Sequence, residues 1–238
     1  MKTFWQTIWV ALSMYSRLPV PRAEWSSKNM RYALCALPLV GVFSGALLWL
    51  WDWLCRALEP GEMLLGAGVV LLPILVTGGI HMDGFCDTCD ALASHGDREK
   101  KLAIMKDPNA GAFAVLGCAC YLLFYFALAS QWQTGGTWAF LMGLAMVLER
   151  ALAGLSLCLM PCARNSGLAR IFADGAAKKN TGIFLAFVAI LAFCGLVFVG
   201  KMVGGLMGLA AFLLWLWYGA WAKKELAADP ACFIAGIR

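Results

Sequence analysis

Six apolar blocks, residues 33–54, 62–82, 110–130, 136–161, 181–200 and 202–222, constrain this chain more than any other feature. Each is near the ~20 residues that a helix needs to cross the hydrocarbon core of a bilayer. In that medium a backbone amide must find its partner within its own helix, so blocks of this length are read as helical spans. The composition agrees: 62% of the residues are hydrophobic and only 14% are charged, which excludes a soluble domain of ordinary make-up. The predicted fold is all-α, a polytopic integral membrane protein in the lipid bilayer with about six transmembrane helices. No repeat, linker or low-complexity tract divides it, so residues 1–238 read as a single multi-pass domain.

Ahead of the first block, Met1–Ser16 is aromatic and apolar but too short to span. Trp5 and Trp9 lie inside it and no small-residue cleavage site follows, so a signal peptide is the weaker reading. An interfacial helix leading into the proline-stiffened stretch Arg17-Leu-Pro-Val-Pro-Arg22 is expected instead. Pro38 and Pro73 fall inside apolar blocks, where a proline kinks a helix. Gly41-Val-Phe-Ser-Gly45 and Gly204-Gly205-Leu-Met-Gly208 are small-xxx-small patterns that let helix backbones approach.

The Lys and Arg residues then set an orientation. Of 19, 16 lie in the N-terminal segment, the loops at about 83–109 and 162–180, and the tail, whereas the alternate loops hold only Arg56 and Lys201. The positive-inside rule therefore predicts both termini and both long loops in the cytoplasm. The net charge of +5 does not imply nucleic acid, because no Lys/Arg run with interleaved aromatics is present.

The long polar interruption, Thr77 to Gly111, contains Asp83, Asp87, Asp90, Asp97 and Asp107. At about 100° per residue a helix from Asp83 puts Asp87 about 40° and Asp90 about 20° to either side of it. Three carboxylates on one narrow face repel each other, and a hard divalent cation with oxygen ligands is the usual remedy. The alternative is a solvated acidic helix end, since Asp is favoured in a first turn. His81 points roughly opposite this face. Cys86 and Cys89 form C-x-x-C without a second pair of suitable spacing, so they read as small space-filling residues and not as a zinc site. Arg98, Lys106, Arg164 and Arg170 suit phosphate oxygens, and equally obey the inside rule as plain charge. Glu149 and Arg150 fall inside the fourth block, where ionised groups are costly. They either pair with groups on other helices, or Arg150 reaches a substrate phosphate.

The order His81-Met-Asp83-Gly84, Asp87-Thr88, Asp90, then Asp97-Arg98-Glu99, Ile104-Met105-Lys106-Asp107 and Gly111 resembles the signature loop of the cobalamin synthase family, the adenosylcobinamide-GDP ribazoletransferases. Ser16-Arg17-Leu18-Pro19-Val20-Pro21, Leu37-Pro38-Leu39-Val40-Gly41 and Pro161-Cys-Ala-Arg164 agree in order and spacing. The resemblance covers about residues 10–175. It implies a multi-pass enzyme of a bacterial or archaeal inner membrane, with Mg²⁺ as cofactor and adenosylcobinamide-GDP and α-ribazole, or its 5′-phosphate, as substrates. A ribose hydroxyl attacks the phosphoryl group on the cobinamide arm, and GMP leaves. On this reading Asp83, Asp87 and Asp90 hold the metal, and Asp107 is a further ligand or orients the hydroxyl. Arg98, Lys106, Arg164, Arg150 and His81 are the candidates for gripping phosphates.

The chain departs from the family pattern at Cys86 and Cys89, where alanine is more usual, at Ala91 for glycine, and at Pro108-Asn109 for a Ser-Arg-like pair. Relatives continue through a Gly-Gly-x-Thr-Gly-Asp motif and a last apolar helix, so a shortened C-terminal end is expected of this sequence. Two other classes of membrane protein also use carboxylates to bind cations. A CDP-alcohol phosphotransferase motif wants Ala-Arg three residues after Asp-Gly, whereas Asp83-Gly84 is followed by Phe-Cys-Asp-Thr. A divalent-cation or small-molecule transporter would set its carboxylates near the midplane, and here they follow the second block. The sequence leaves the oligomeric state open, including a homo-oligomer.

Overall fold

The structure, a computed structural model, describes residues 2–159 and 175–226, and all regular structure among them is helical. In chain order the helices are α1 (Lys2–Tyr15), α2 (Ser27–Met30), α3 (Leu37–Leu58), α4 (Glu62–Thr77), α5 (Ile80–Ala93), α6 (Arg98–Ile104), α7 (Ala112–Ala129), α8 (Trp138–Leu159) and α9 (Lys178–Leu226). Among the described residues four helices are long and apolar enough to cross a membrane, or up to five if a bent pair counts as one span. Phe4 and Trp5 of α1 are exposed while Val10, Ala11 and Tyr15 are buried, so the short first helix lies against the bundle by its second half.

α3 and α8 form the centre. Half of the apolar stretch of each is buried (50% and 56%), against 11% for α7 and 22% for α9. Outward-facing Phe, Leu and Trp side chains on α7 and α9 present hydrocarbon to their surroundings, as lipid-facing helices do. The centre is tight because Gly45 faces Gly143: a Cβ on Gly45 would lie 2.6 Å from the Gly143 Cα. The first small-xxx-small pattern thus brings two backbones together. Pro38 does not kink a span; it stands in the first turn of α3, where its missing N–H is one that a helix start leaves unpaired anyway.

The blocks 181–200 and 202–222 form the two arms of α9, which reverses at Lys201 (φ 49°, ψ −124°). A Cβ on Gly204 would lie 1.8 Å from the Leu196 carbonyl oxygen, and one on Gly208 would meet the Phe193 ring. In a straight helix residues 193 and 208 would be ~22 Å apart. The arms therefore fold back on each other, and the second small-xxx-small pattern makes that close approach.

The block 62–82 is not the single helix expected. α4 and α5 meet at 95°, and the break is Gly78-Gly79, with φ of +66° and +79°. Consecutive left-handed residues end a helix, and glycine adopts them without a Cβ clash. The stretch expected as a loop from residue 83 consequently begins as helix and stays so to Ala93.

One end of the bundle is fastened by Asp52, which is fully buried on α3 and accepts from the Arg56 guanidinium and from the Gly135 amide at 3.1 Å. The basic segments gather at the other end. The Arg17 amide donates to the Val76 carbonyl at 2.8 Å, the Ala177 amide donates to the Arg31 carbonyl at 3.0 Å, and Tyr218 of α9 packs with Leu102 and Met105.

Candidate active site

The aspartates sit on α5, the helix that leaves the bend. Asp83 and Asp87 are one turn apart and half-buried, so their side chains rise from the same face. Asp90 has a different task. Its Oδ2 accepts from the Gly111 amide at 2.6 Å and its Oδ1 from the Ala114 amide at 2.8 Å. These are unpaired donors at the start of α7, which Gly111 itself, lacking a side chain, cannot satisfy. A Cβ on Gly111 would stand 2.7 Å from Oδ1, so glycine is what lets the carboxylate come this close. The three-aspartate face thus resolves into a pair plus a helix cap. Among the described residues no group of three His, Cys, Asp or Glu is arranged to hold a metal ion.

Mg²⁺ fits two carboxylates. It keeps several waters and is commonly bound by one or two carboxylates together with substrate phosphates, where a dedicated protein cage is unnecessary. Asp83 and Asp87 supply that donor set in the i, i+4 relation.

From the first turn of α5, on the side away from Asp83, His81 reaches Arg150 of α8. Arg150, 6% exposed, brings Nη1 into hydrogen-bond contact with Nε2 of His81 and to 3.0 Å from Oε1 of Glu149. Arginine is always protonated and donates, so Nε2 of His81 is the acceptor here. The Arg150 Nε is buried without a hydrogen-bond partner. These groups line a cavity of about 440 Å³ among α4, α5, α7, α8 and α9, with Thr77, Tyr121 and Tyr125 in its wall. Burying an arginine costs several kcal/mol unless its donors are used. Glu149 and His81 use Nη1, while Nε is buried without a partner. Of the pairing expected with other helices, Arg150 makes one contact, to His81, while Glu149 pairs with Arg150 itself.

Family comparison carries the next step. The family model described as cobalamin-5-phosphate synthase matches residues 7–228. The chain belongs to that family. It is 36% identical over 210 residues to the adenosylcobinamide-GDP ribazoletransferase of Lachnoclostridium phytofermentans, covering 87% of this chain and 80% of the relative. It is 37% identical over 227 residues to the protein of that name from Pseudomonas fluorescens, covering 90% and 80%, and 31% identical over 229 residues to that of Clostridium perfringens, covering 95% and 90%. No solved structure matches it.

The remaining site residues are spread more widely. Arg98 opens α6 and Lys106 follows its end, both exposed at the basic end of the bundle. Asp107 closes the turn after α6, its Oδ1 accepting from the Asn109 amide at 2.9 Å and the Asn109 side-chain nitrogen at 2.8 Å. Arg164 lies outside the described residues, as does Arg170. The C-x-x-C pair is packing: Cys89 occupies the space beside Gly117 of α7, and all the described cysteines are free. The sequence reading missed Arg17, whose side chain lies over Gly78 at the head of the aspartate helix: a Cβ there would be 2.5 Å from its Cγ and 2.8 Å from its Nε. The visible signal is its place in the stretch Ser16–Pro21, which reads as a stiff turn and as part of the family resemblance but gives Arg17 no role of its own.

Proposed function

We propose that this protein completes the nucleotide loop of cobalamin, transferring the adenosylcobinamide-phosphoryl group from adenosylcobinamide-GDP to a ribose hydroxyl of α-ribazole or its 5′-phosphate and releasing GMP. The observation that carries the reading is the junction of α5 with α8, where the aspartate helix is held by Arg150 beside a cavity inside an otherwise apolar bundle. The names of the relatives supply the reaction.

In this reading Asp83 and Asp87 hold Mg²⁺, which when bound neutralises the diphosphate and its departing charge. Arg150 presents its remaining donor to a phosphoryl oxygen, and His81 fixes its orientation. Glu149 limits the charge cost of keeping the guanidinium buried. Arg98 and Lys106 draw the anionic substrate to the basic end, and Arg164 belongs with them as a candidate. Asp107 is kept as a ligand or hydroxyl-orienting group. The ribose hydroxyl oxygen forms the new P–O bond and gives up its proton to solvent, the bond from the attacked phosphorus to the bridging oxygen of the GMP group breaks, and GMP leaves with that electron pair. By the positive-inside rule the basic end faces the cytoplasm, with the apolar helices in the inner membrane of the cell.

The test is GMP release and cobalamin formation by the purified protein in lipid with both substrates, titrated with Mg²⁺ and run beside Asp83→Asn and Asp87→Asn. The expected result is Mg²⁺-dependent turnover that falls at least ~100-fold in each variant while the fold is retained. Full activity in both variants would refute the metal assignment. No turnover and no binding of adenosylcobinamide-GDP by the wild type would return the transporter reading.

A further inference from the structure

The α4–α5 bend carries a further cation, Arg17. Arg17 is exposed and anchored: its amide donates to the Val76 carbonyl at 2.8 Å, and its side chain fills the space that a residue other than glycine would need at position 78. The next residue is the reverse case. A Cβ on Gly79 would meet nothing within 4 Å, so an open space adjoins the first turn of α5. That turn has no side-chain cap, and the amides of an uncapped helix start attract anions. On the buried side of the bend Arg150, whose Nε is buried without a partner, stands in the wall of the same cavity as Thr77 and His81. Two guanidinium groups from distant parts of the chain therefore come to one glycine bend, from the exposed side and from the cavity side. No carboxylate is paired with Arg17 by any ion pair found among the described residues.

We propose that Arg17 is a phosphate-binding residue, taking the nucleotide-side phosphate of a nucleoside-diphosphate-linked substrate above Gly79 while Arg150 takes the phosphoryl group that is transferred. The assignment rests on the functional reading above and adds a residue to it. An arginine suits the role because its planar fork of donors matches phosphate oxygens, whereas a lysine offers a single point charge. The glycine pair serves the same end: Gly78 makes room for the arginine stem, and Gly79 leaves the ligand an approach to the backbone.

The experiment compares wild type, Arg17→Ala and Arg17→Lys, full length, in phosphatidylcholine vesicles with and without an anionic phospholipid. It measures KM for adenosylcobinamide-GDP, KM for α-ribazole, and inhibition by GMP. In Arg17→Ala the KM for the GDP-linked substrate and the inhibition constant for GMP are expected to rise about tenfold or more. The KM for α-ribazole stays within about twofold, and Arg17→Lys recovers part of the loss. GMP affinity within twofold of wild type in Arg17→Ala would overturn the assignment. So would an equal rise in both KM values, which marks a structural role, or an effect confined to vesicles with anionic lipid, which marks a headgroup contact. A wild type that binds GMP but turns nothing over would sink the reaction and leave the phosphate site to be judged on GMP binding alone.

Discussion

Asp90→Ala separates two roles that one residue type serves equally well. By spacing alone Asp90 is a third metal ligand; by contact it is the cap of α7. The Asp90 carboxylate accepts from the amides of Gly111 at 2.6 Å and Ala114 at 2.8 Å. Losing a capping side chain costs about 0.5–2 kcal/mol, and removing a negative charge from a helix start adds about 0.3–1 kcal/mol. The Gly111 contact is exposed, so water replaces part of what is lost there. The expected cost is about 2 kcal/mol, which for a chain of this size lowers Tm by about 4–8 °C. Asp90→Asn keeps one acceptor oxygen and is expected to lose about half as much. The assay is thermal unfolding in detergent, paired with the Mg²⁺ concentration that half-activates GMP release. The capping argument requires a lowered Tm and a Mg²⁺ midpoint that stays put in whatever activity remains. An unchanged Tm with a midpoint raised tenfold or more would refute it and restore Asp90 as a ligand.

Three further outcomes follow from the packing. Gly45→Val drives a side chain into the Gly143 backbone, where the nearest atom would be 2.6 Å from its Cβ; backbone cannot move aside as a side chain can, so at least about 1–3 kcal/mol of stability is lost, read as a lower Tm in detergent. The double variant Cys86→Ala, Cys89→Ala removes only small packing groups, so turnover is retained and metal analysis of the wild-type protein finds no zinc; a stoichiometric zinc that the double variant lacks would contradict this. Arg56→Met leaves the buried Asp52 carboxylate with the Gly135 amide alone. Stranding a buried charge costs about 3 kcal/mol or more, so Tm falls while the KM values of the surviving protein do not change.

What was legible in the sequence was what depends on composition over a helix length. Twenty apolar residues must be helical in hydrocarbon whatever they touch, so most of the blocks coincide with helices. Lys201 marked the reversal of α9 because a lone cation between two apolar runs falls naturally at a turn. The bend at Gly78-Gly79 was not legible, because hydropathy sums side chains and two glycines between Thr77 and Ile80 do not lower the sum enough to show a break. Pro38 was read by its presence in a block and not by its place in the first turn. The site was half legible for a related reason. Asp83 and Asp87 are neighbours by helical geometry, which spacing gives. The contacts of Asp90 with Gly111, His81 with Arg150 and Arg17 with Gly78 join residues 21, 69 and 61 positions apart, and no local pattern encodes them.

The bend explains why the site stands at the end of the bundle and not along a span. Had α4 continued straight through residues 78 and 79, Asp87 would lie ~15 Å beyond Thr77 along the same axis. The aspartates would then project away from the bundle, out of reach of α7 and α8. A turn of 95° lays α5 across the end of the bundle instead. One face then reaches Arg150 through His81, and the C-terminal turn reaches the start of α7 through Asp90. Proline would bend a helix less sharply and would hold an apolar ring over the backbone. Two glycines give the right angle and leave the backbone bare at the head of the aspartate helix.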